Sequence, residues 1–271
     1  MADRDYHIHT CFSSDSSADP YEIAEAAVSR GLKAICFTDH TDIGYTAAGT
    51  FTFDPDAYFS ALSEVREHFR DRLEVRIGVE LGLIPDDPEI AARIRAFAAS
   101  RPWEFIIGST HLMPAPAGTD CEALKQAFPS EKLLPPDAPL LDPWDSGAWR
   151  AFGSTRAMFT AYYVTVLKNV RQFDCFDTLG HLDYIARYVP AGFEPYRYEE
   201  YREIIDEILS ELIRKGKRLE INTAGLRKPC GQTNPEPRVI ARYLALGGTA
   251  VTYGSDAHRV IHVGYGFDSL G

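Results

Sequence analysis

Short apolar runs rich in Val and Ile alternate along the chain with longer stretches whose apolar residues recur at helical spacing. This alternation is the pattern of repeated strand-crossover-helix units around a parallel sheet, and seven strands can be drawn. They are expected over Arg4–Ile8, Ala34–Thr38, Glu74–Val79, Glu104–Gly108, Asp177–Gly180, Arg218–Ile221 and Ala250–Gly254. Helices are expected over Pro20–Arg30, Pro55–Arg70, Pro88–Ala99, Ser154–Phe173, Tyr198–Lys215 and Pro237–Leu246. Proline in the first turn opens the first of them. The stretch Pro114–Trp149 breaks the pattern, with seven prolines and few periodic apolar positions. It is too long for a routine connection and reads as a functional loop or lid that begins just after His111. No repeat or inter-domain linker interrupts the pattern, so one domain over residues 1–271 is the simplest organisation.

Composition narrows the function classes. The first ten residues lack the basic start and apolar run of a signal peptide, and no stretch approaches the roughly 18 apolar residues of a spanning helix. A soluble cytoplasmic protein with no membrane partner is therefore expected. Cys11, Cys36, Cys121, Cys175 and Cys230 are scattered and never spaced as C-x-x-C, which suggests neither a disulfide framework nor a thiolate zinc site. Lys and Arg number 28 against 39 Asp and Glu, a net charge of −11 with no dense basic run. Such a surface does not track a long nucleic acid. A small anionic substrate would need local cations, and bound metal ions can supply them.

The residues just past the expected strands supply the chemistry. They are His7 and His9, Asp39 and His40, Glu80, His111, His181, Asn222, then Asp256 and His258. In a parallel barrel the carboxyl ends of the strands converge on one face, so these distant residues become neighbours around one cavity. A lone histidine after a strand is more often a packed or hydrogen-bonded residue, but six of the eight histidines take such positions. His68 and His262 stand apart. Neutral imidazole and carboxylate hold zinc, iron or manganese, and a carboxylate can bridge two ions. The H-x-H pair puts both imidazoles on one side of its strand, because alternate residues point the same way. Arginine suits the oxygens of a phosphate, since its planar fork bonds two at once. Arg187 and Arg227 lie on loops expected to reach the same face, with Arg156 a third candidate, and Asn222 is expected to orient substrate or a ligand.

The segment from Asp5 through Asp42, with GVE at 78–80, GSTH at 108–111, GHLD at 180–183 and GSDAH at 254–258, resembles the polymerase and histidinol phosphatase (PHP) superfamily. The likeness spans nearly the whole chain. HIHTCFSSDS, GHLDYIARY and INTAGLRKP are most similar to the stand-alone histidinol-phosphate phosphatases. The resemblance implies a distorted, TIM-like (β/α)7 barrel with a long loop after strand four, and two or three divalent metal ions, Zn, Fe or Mn. It implies a first ion on His7, His9, Glu80 and Asp256, and a second on Glu80, His111 and His181. A third would sit on Asp15, His40 and His258, where the superfamily has either histidine or aspartate at the Asp15 position. Glu80, Asp256 and His258 would carry the catalysis, by attack of metal-activated hydroxide on phosphorus. Asp39, His258 and a metal-bound water are candidates for protonating the leaving group.

On this resemblance the expected reaction is hydrolysis of L-histidinol phosphate in histidine biosynthesis. That substrate carries an imidazole and an ammonium group, so acidic or aromatic residues are expected on Pro114–Trp149 or nearby. The alternatives keep the fold but change the role: a phosphoesterase for nucleotides or nucleic acid ends, or a non-catalytic metal-binding module. Amidohydrolase barrels also begin with H-x-H, but typically use a bridging modified lysine on a middle strand. Here Glu80 and His111 end those strands.

Overall fold

In the computed structural model the described residues are 2–44, 51–119 and 140–270. Parallel strands dominate. β1 (Arg4–Ile8), β2 (Ala34–Phe37) and β4 (Glu74–Ile77) form one sheet in the order β1-β2-β4. β3 (His40–Thr41), β5 (Val79–Gly82), β6 (Ile106–Ser109), β9 (Thr178–Leu179), β10 (Arg218–Asn222) and β11 (Val251–Gly254) form a second, in the order β11-β10-β9-β6-β5-β3. Their rungs are parallel throughout.

The expected strand Glu74–Val79 divides at Gly78 into β4 and β5. A Cβ at Gly78 would lie 2.3 Å from the carbonyl oxygen of Phe105, so only glycine allows this approach. The Gly78 amide donates to Phe37 O and the Val79 amide to Phe105 O, which hands the chain from one sheet to the other. Glu80 follows directly. At the other margin Ile8 bridges Ala257, while the His9 amide donates to Ala257 O and the Asp256 amide to His7 O. Strand β1 thereby meets the segment after β11.

The helices lie close to their expected bounds. Three open on the dipeptide Asp-Pro: α1 (Pro20–Ser29) after Asp19, α2 (Pro55–Phe69) after Asp54, and α3 (Pro88–Ala98) after Asp87. The aspartate accepts the free first-turn amides while proline supplies a fixed φ where no amide partner is needed. The expected loop Pro114–Trp149 instead contains ordered ends. Met113–Pro114 (β7) pairs antiparallel with Leu140–Leu141 (β8), and Ser146–Phe152 forms α4. Residues 120–139 of that loop lie outside the described residues. Trp149 is fully buried and its indole N–H donates to Pro143 O, fixing the returning limb of the loop.

Then come α5 (Thr155–Gln172), α6 (Arg202–Arg214) and α7 (Pro237–Ala245). The expected helix Tyr198–Lys215 is interrupted at Tyr201, with a short 3-10 turn over Tyr198–Glu200 preceding α6. Buried side chains divide into one cluster where α1 and α2 cover β1, β2 and β4, and a larger one under α5 to α7. Among the described residues no helix is long and apolar enough to cross a membrane. Among the described residues Cys11, Cys36, Cys175 and Cys230 are free cysteines, and Cys121 lies outside them.

Glycine is also required at position 254, at the end of β11. A Cβ there would come 2.3 Å from Glu220 Oε1 and 2.4 Å from the Cβ of His7. Gly254→Ala should cost about 1–3 kcal/mol through overpacking, read as a lower urea midpoint. An unchanged midpoint would refute the close packing.

Candidate metal centre

The strand ends bring one carboxylate to the middle of a ring of imidazoles. Glu80 on β5 is fully buried. Its Oε2 lies 3.2 Å from His7 Nε2, 3.6 Å from His9 Nε2 and 2.9 Å from His40 Nδ1. Its Oε1 lies 3.1 Å from His111 Nε2 and 2.9 Å from His181 Nε2, and accepts a 2.6 Å hydrogen bond from Ser109 Oγ. Asp256, after β11, places Oδ1 3.4 Å from His9 Nε2 and 3.9 Å from His7 Nε2. Asp256 holds a left-handed backbone, φ 52°, a conformation uncommon for a residue with a side chain.

A further group adjoins this ring. Asp15 Oδ2 is 3.2 Å from His258 Nε2 and 3.8 Å from His40 Nε2, and the two Nε2 atoms are 3.4 Å apart. The ligand atoms therefore fall into overlapping triads: His7, His9 and Asp256; His7, Glu80 and His181; His40, Glu80 and His111; His9, His40 and His258. The nine side chains read from the sequence as ligands are brought together.

The donor set fits divalent cations. Buried polar atoms are normally hydrogen-bonded. Yet His7 Nε2, His9 Nε2, His40 Nδ1 and Glu80 Oε2 are buried and make no hydrogen bond. The three nitrogens lie around Glu80 Oε2, at 3.2, 3.6 and 2.9 Å, and cations bound there would give these atoms partners. Electrostatics agree. Burial opposes charging at His7, His40 and His111, yet their neighbouring carboxylates outweigh it and raise all three pKa values, His40 to about 9. Burial also opposes ionisation of Glu80 and Asp256, but the imidazoles, joined by Arg187 at Asp256, hold both well below the carboxylate range. Burial instead lowers the pKa values of His9 and His181, and a bound metal displaces whatever protons the ligand atoms carry.

Outer side chains fix the imidazoles. His7 Nδ1 lies 2.6 Å from Glu220 Oε1, and His111 Nδ1 lies 2.9 Å from Asp42 Oδ1. His9 Nδ1 is 3.3 Å from Ser13 Oγ, which donates to Asp39 Oδ1. Asp39 is fully buried, accepts further bonds from the amide and hydroxyl of Thr10, and does not line the cavity. Its contacts make it a brace beneath His9. His258 does line the cavity.

The three arginines part company. Arg187 is buried at the cavity wall and donates to Asp256 Oδ2, Asn222 Oδ1 and Asn234 Oδ1, each at 2.7 Å. Arg227 donates to the carbonyls of Ser255 and Asp256 and stacks on Tyr265, behind the Asp256 turn and off the cavity wall. Arg156 is exposed in the first turn of α5 and does not line the cavity. Asn222 is also behind the wall: its amide nitrogen faces Glu220 and Asp256 while its oxygen accepts Arg187 and the Ala224 amide.

Other functional residues carried weaker sequence signals. Glu220 is a carboxylate inside an apolar strand, two residues before Asn222 and so on the same face. Asp42 stands two residues past His40. The cavity is further lined by Asp142, Tyr184, Tyr188 and Phe51, which the strand-end pattern does not mark. Asp142 belongs to the returning limb of the long loop, where acidic or aromatic residues were expected. Burial pushes its carboxyl up to about 6.

Comparison with known proteins agrees with this geometry. The PHP domain model matches residues 5–224. Histidinol-phosphatase of Lactococcus lactis subsp. lactis (strain IL1403) is 30% identical over 95% of this chain and 85% of its own length. The crystal structure of histidinol phosphate phosphatase from that organism, complexed with zinc, L-histidinol and phosphate, superposes with a TM-score of 0.75 at 28% identity, over 96% of this chain and 89% of the other. A structure from Listeria monocytogenes shares the fold, with a TM-score of 0.80 at 18% identity over 99% of this chain and all of that one. With its strand-end ligands in place and the family model matched across most of its length, this chain belongs to the PHP domain family.

Proposed function

We propose that this chain hydrolyses L-histidinol phosphate to L-histidinol and phosphate, using two or three divalent cations. The observation that carries the reading is the buried Glu80 carboxylate, whose two oxygens are shared among five imidazoles from four separate segments. The similarity to phosphatases named for this substrate supports the choice of substrate. We read the strands as a distorted barrel of seven strand-helix units in one domain. The bridge between Ile8 and Ala257, which joins the first strand to the segment just after the last, supports closure.

His7, His9, Glu80 and Asp256 would hold one cation, Glu80, His111 and His181 a second, and Asp15, His40 and His258 a third. Zinc, iron or manganese there would supply Lewis-acid charge for phosphoryl oxygens and lower the pKa of water to near neutrality. The chain's own residues set the geometry of attack. Arg187, held from behind by Asn222 and Asn234 and from the side by Asp256, presents a fixed guanidinium at the wall for a phosphoryl oxygen. Arg227 acts indirectly by holding the carbonyls of the Asp256 turn. His258, on the wall, donates from Nδ1 to Asp256 O, which fixes the ring and leaves its Nε2 lone pair free for a cation.

The organic end of the substrate needs a different wall. Asp142, fixed by the Trp144 amide at 2.8 Å, faces the cavity with the aromatic faces of Tyr184 and Tyr188. An ionised carboxylate attracts an ammonium group and an aromatic face accepts an imidazolium or imidazole ring.

Phosphate release should be measured from histidinol phosphate beside nucleotides and sugar phosphates, with metals quantified, stripped and restored. Metal-dependent preference for histidinol phosphate is expected. Preference for nucleotides would overturn the substrate, and no turnover with the metals restored would indicate a non-catalytic module. Asp142→Asn should raise KM for histidinol phosphate roughly tenfold or more, the scale of a lost charge-assisted bond, with kcat less affected. Its pKa is raised, so Asp142 is neutral below about 6 and ionised above. Wild-type KM should fall as pH rises through about 6, and that step should disappear in the Asn variant. Identical KM profiles would remove Asp142 from substrate binding.

A further inference from the structure

Glu220 does not line the cavity, and we propose that it is a positioning residue that sets the ligand-competent tautomer of His7 and locks it to the strand end bearing His181. The proposal rests on the metallohydrolase reading above.

Glu220 sits in the middle of β10, between β9 and β11, and is almost completely buried. A glycine opens the space it occupies, since Gly254 at the end of β11 would carry a Cβ 2.3 Å from Glu220 Oε1. Through this slot Oε1 reaches His7 Nδ1 at 2.6 Å. Oε2 accepts the backbone amide of His181 at 2.7 Å and the Asn222 side-chain amide at 3.2 Å. One carboxylate thus joins ligands of two expected ions, on strands that are not neighbours.

An ionised carboxylate can only accept, so the proton it shares belongs to His7 Nδ1 and the lone pair to Nε2. That Nε2 lies 3.2 Å from Glu80 Oε2 and 3.9 Å from Asp256 Oδ1, where a ligand atom is needed. Asn222 Nδ2 also lies 3.4 Å from His7 Nδ1, but it donates to Glu220 and Asp256, and the shorter Glu220 contact decides the tautomer. A glutamine at 220 has the same shape and the wrong chemistry. With its NH2 toward His7 it draws the lone pair to Nδ1 and puts the proton on Nε2. With its oxygen toward His7 its NH2 faces the His181 amide, donor against donor.

Zinc titration of the apo full-length chain, against a chromophoric chelator, tests this with wild type, Glu220→Gln and Glu220→Asp. Loss of an outer partner of a ligating histidine typically weakens metal binding 10–100-fold. We expect Glu220→Gln to lose roughly that much affinity for at least one zinc equivalent, with turnover recovering as free zinc is raised. A bracing role alone would lower the apo-protein's thermal midpoint and leave the zinc isotherm unchanged, which overturns the proposal. Where circular dichroism shows Glu220→Gln unfolded, Glu220→Asp, which keeps the carboxyl group but shortens its reach to His7, is read on the same isotherm with the same two outcomes. Wild-type chain that binds no zinc would instead overturn the metal reading itself.

Discussion

A carboxylate buried beyond the reach of water is tolerated only when opposite charge or donors surround it. Glu80 is such a group, and the structure around it is organised by that requirement. Its two oxygens meet five imidazoles and the Ser109 hydroxyl, and the break at Gly78 aims the strand at that meeting point. The imidazoles bring unpaired buried nitrogens of their own, so the cluster is completed by cations rather than by further side chains.

Holding those imidazoles in place uses much of the polar interior. Several strand ends are tied to other segments: β1 to β10 through His7 and Glu220, the β3 segment to the residues after β6 through Asp42 and His111, and the residues after β11 to the 3-10 turn Tyr184–Tyr188 through Asp256 and Arg187. At the base of β1 the buried Asp5 accepts the amides of Ser255 and Gly264, fixing the segment that carries Asp256 and His258. Glu80 and Asp256 are held ionised by the charges beside them, whereas Asp5 and Asp39, which have hydrogen-bond donors alone, are pushed up by burial. The same ties make the site rigid before substrate arrives, and a preorganised site has no reorganisation cost at the moment of reaction.

The sequence was most legible where one residue type has one use. Three of the four Asp-Pro dipeptides open helices, because cap and first turn are local events, while the fourth, Asp142–Pro143, opens none. Histidines after strands were equally readable, since parallel strands send their carboxyl ends to one face. What stayed hidden depends on contacts across the sheet. Nothing adjacent to Gly78 announces that Phe105 O will press against it, so the divided strand looked continuous. Glu220 and Asp42 resemble ordinary acidic positions until His7 and His111 arrive from elsewhere in the chain. Arg227 was expected on the phosphate and is found behind the Asp256 turn, because loop length alone does not set which way a long side chain leaves its turn. α4 is too short, and too close to prolines, for helical periodicity to show.

The central claim is that the carboxylates and imidazoles around Glu80 hold metal ions. Anomalous diffraction from crystals loaded with zinc or manganese, collected on either side of the metal's absorption edge, tests it most directly. The account predicts at least two peaks at about 2.0–2.2 Å from ligand atoms, one on each oxygen of Glu80, with a further one available between Asp15, His40 and His258. A loaded crystal with no anomalous peak within bonding distance of Glu80 would contradict it.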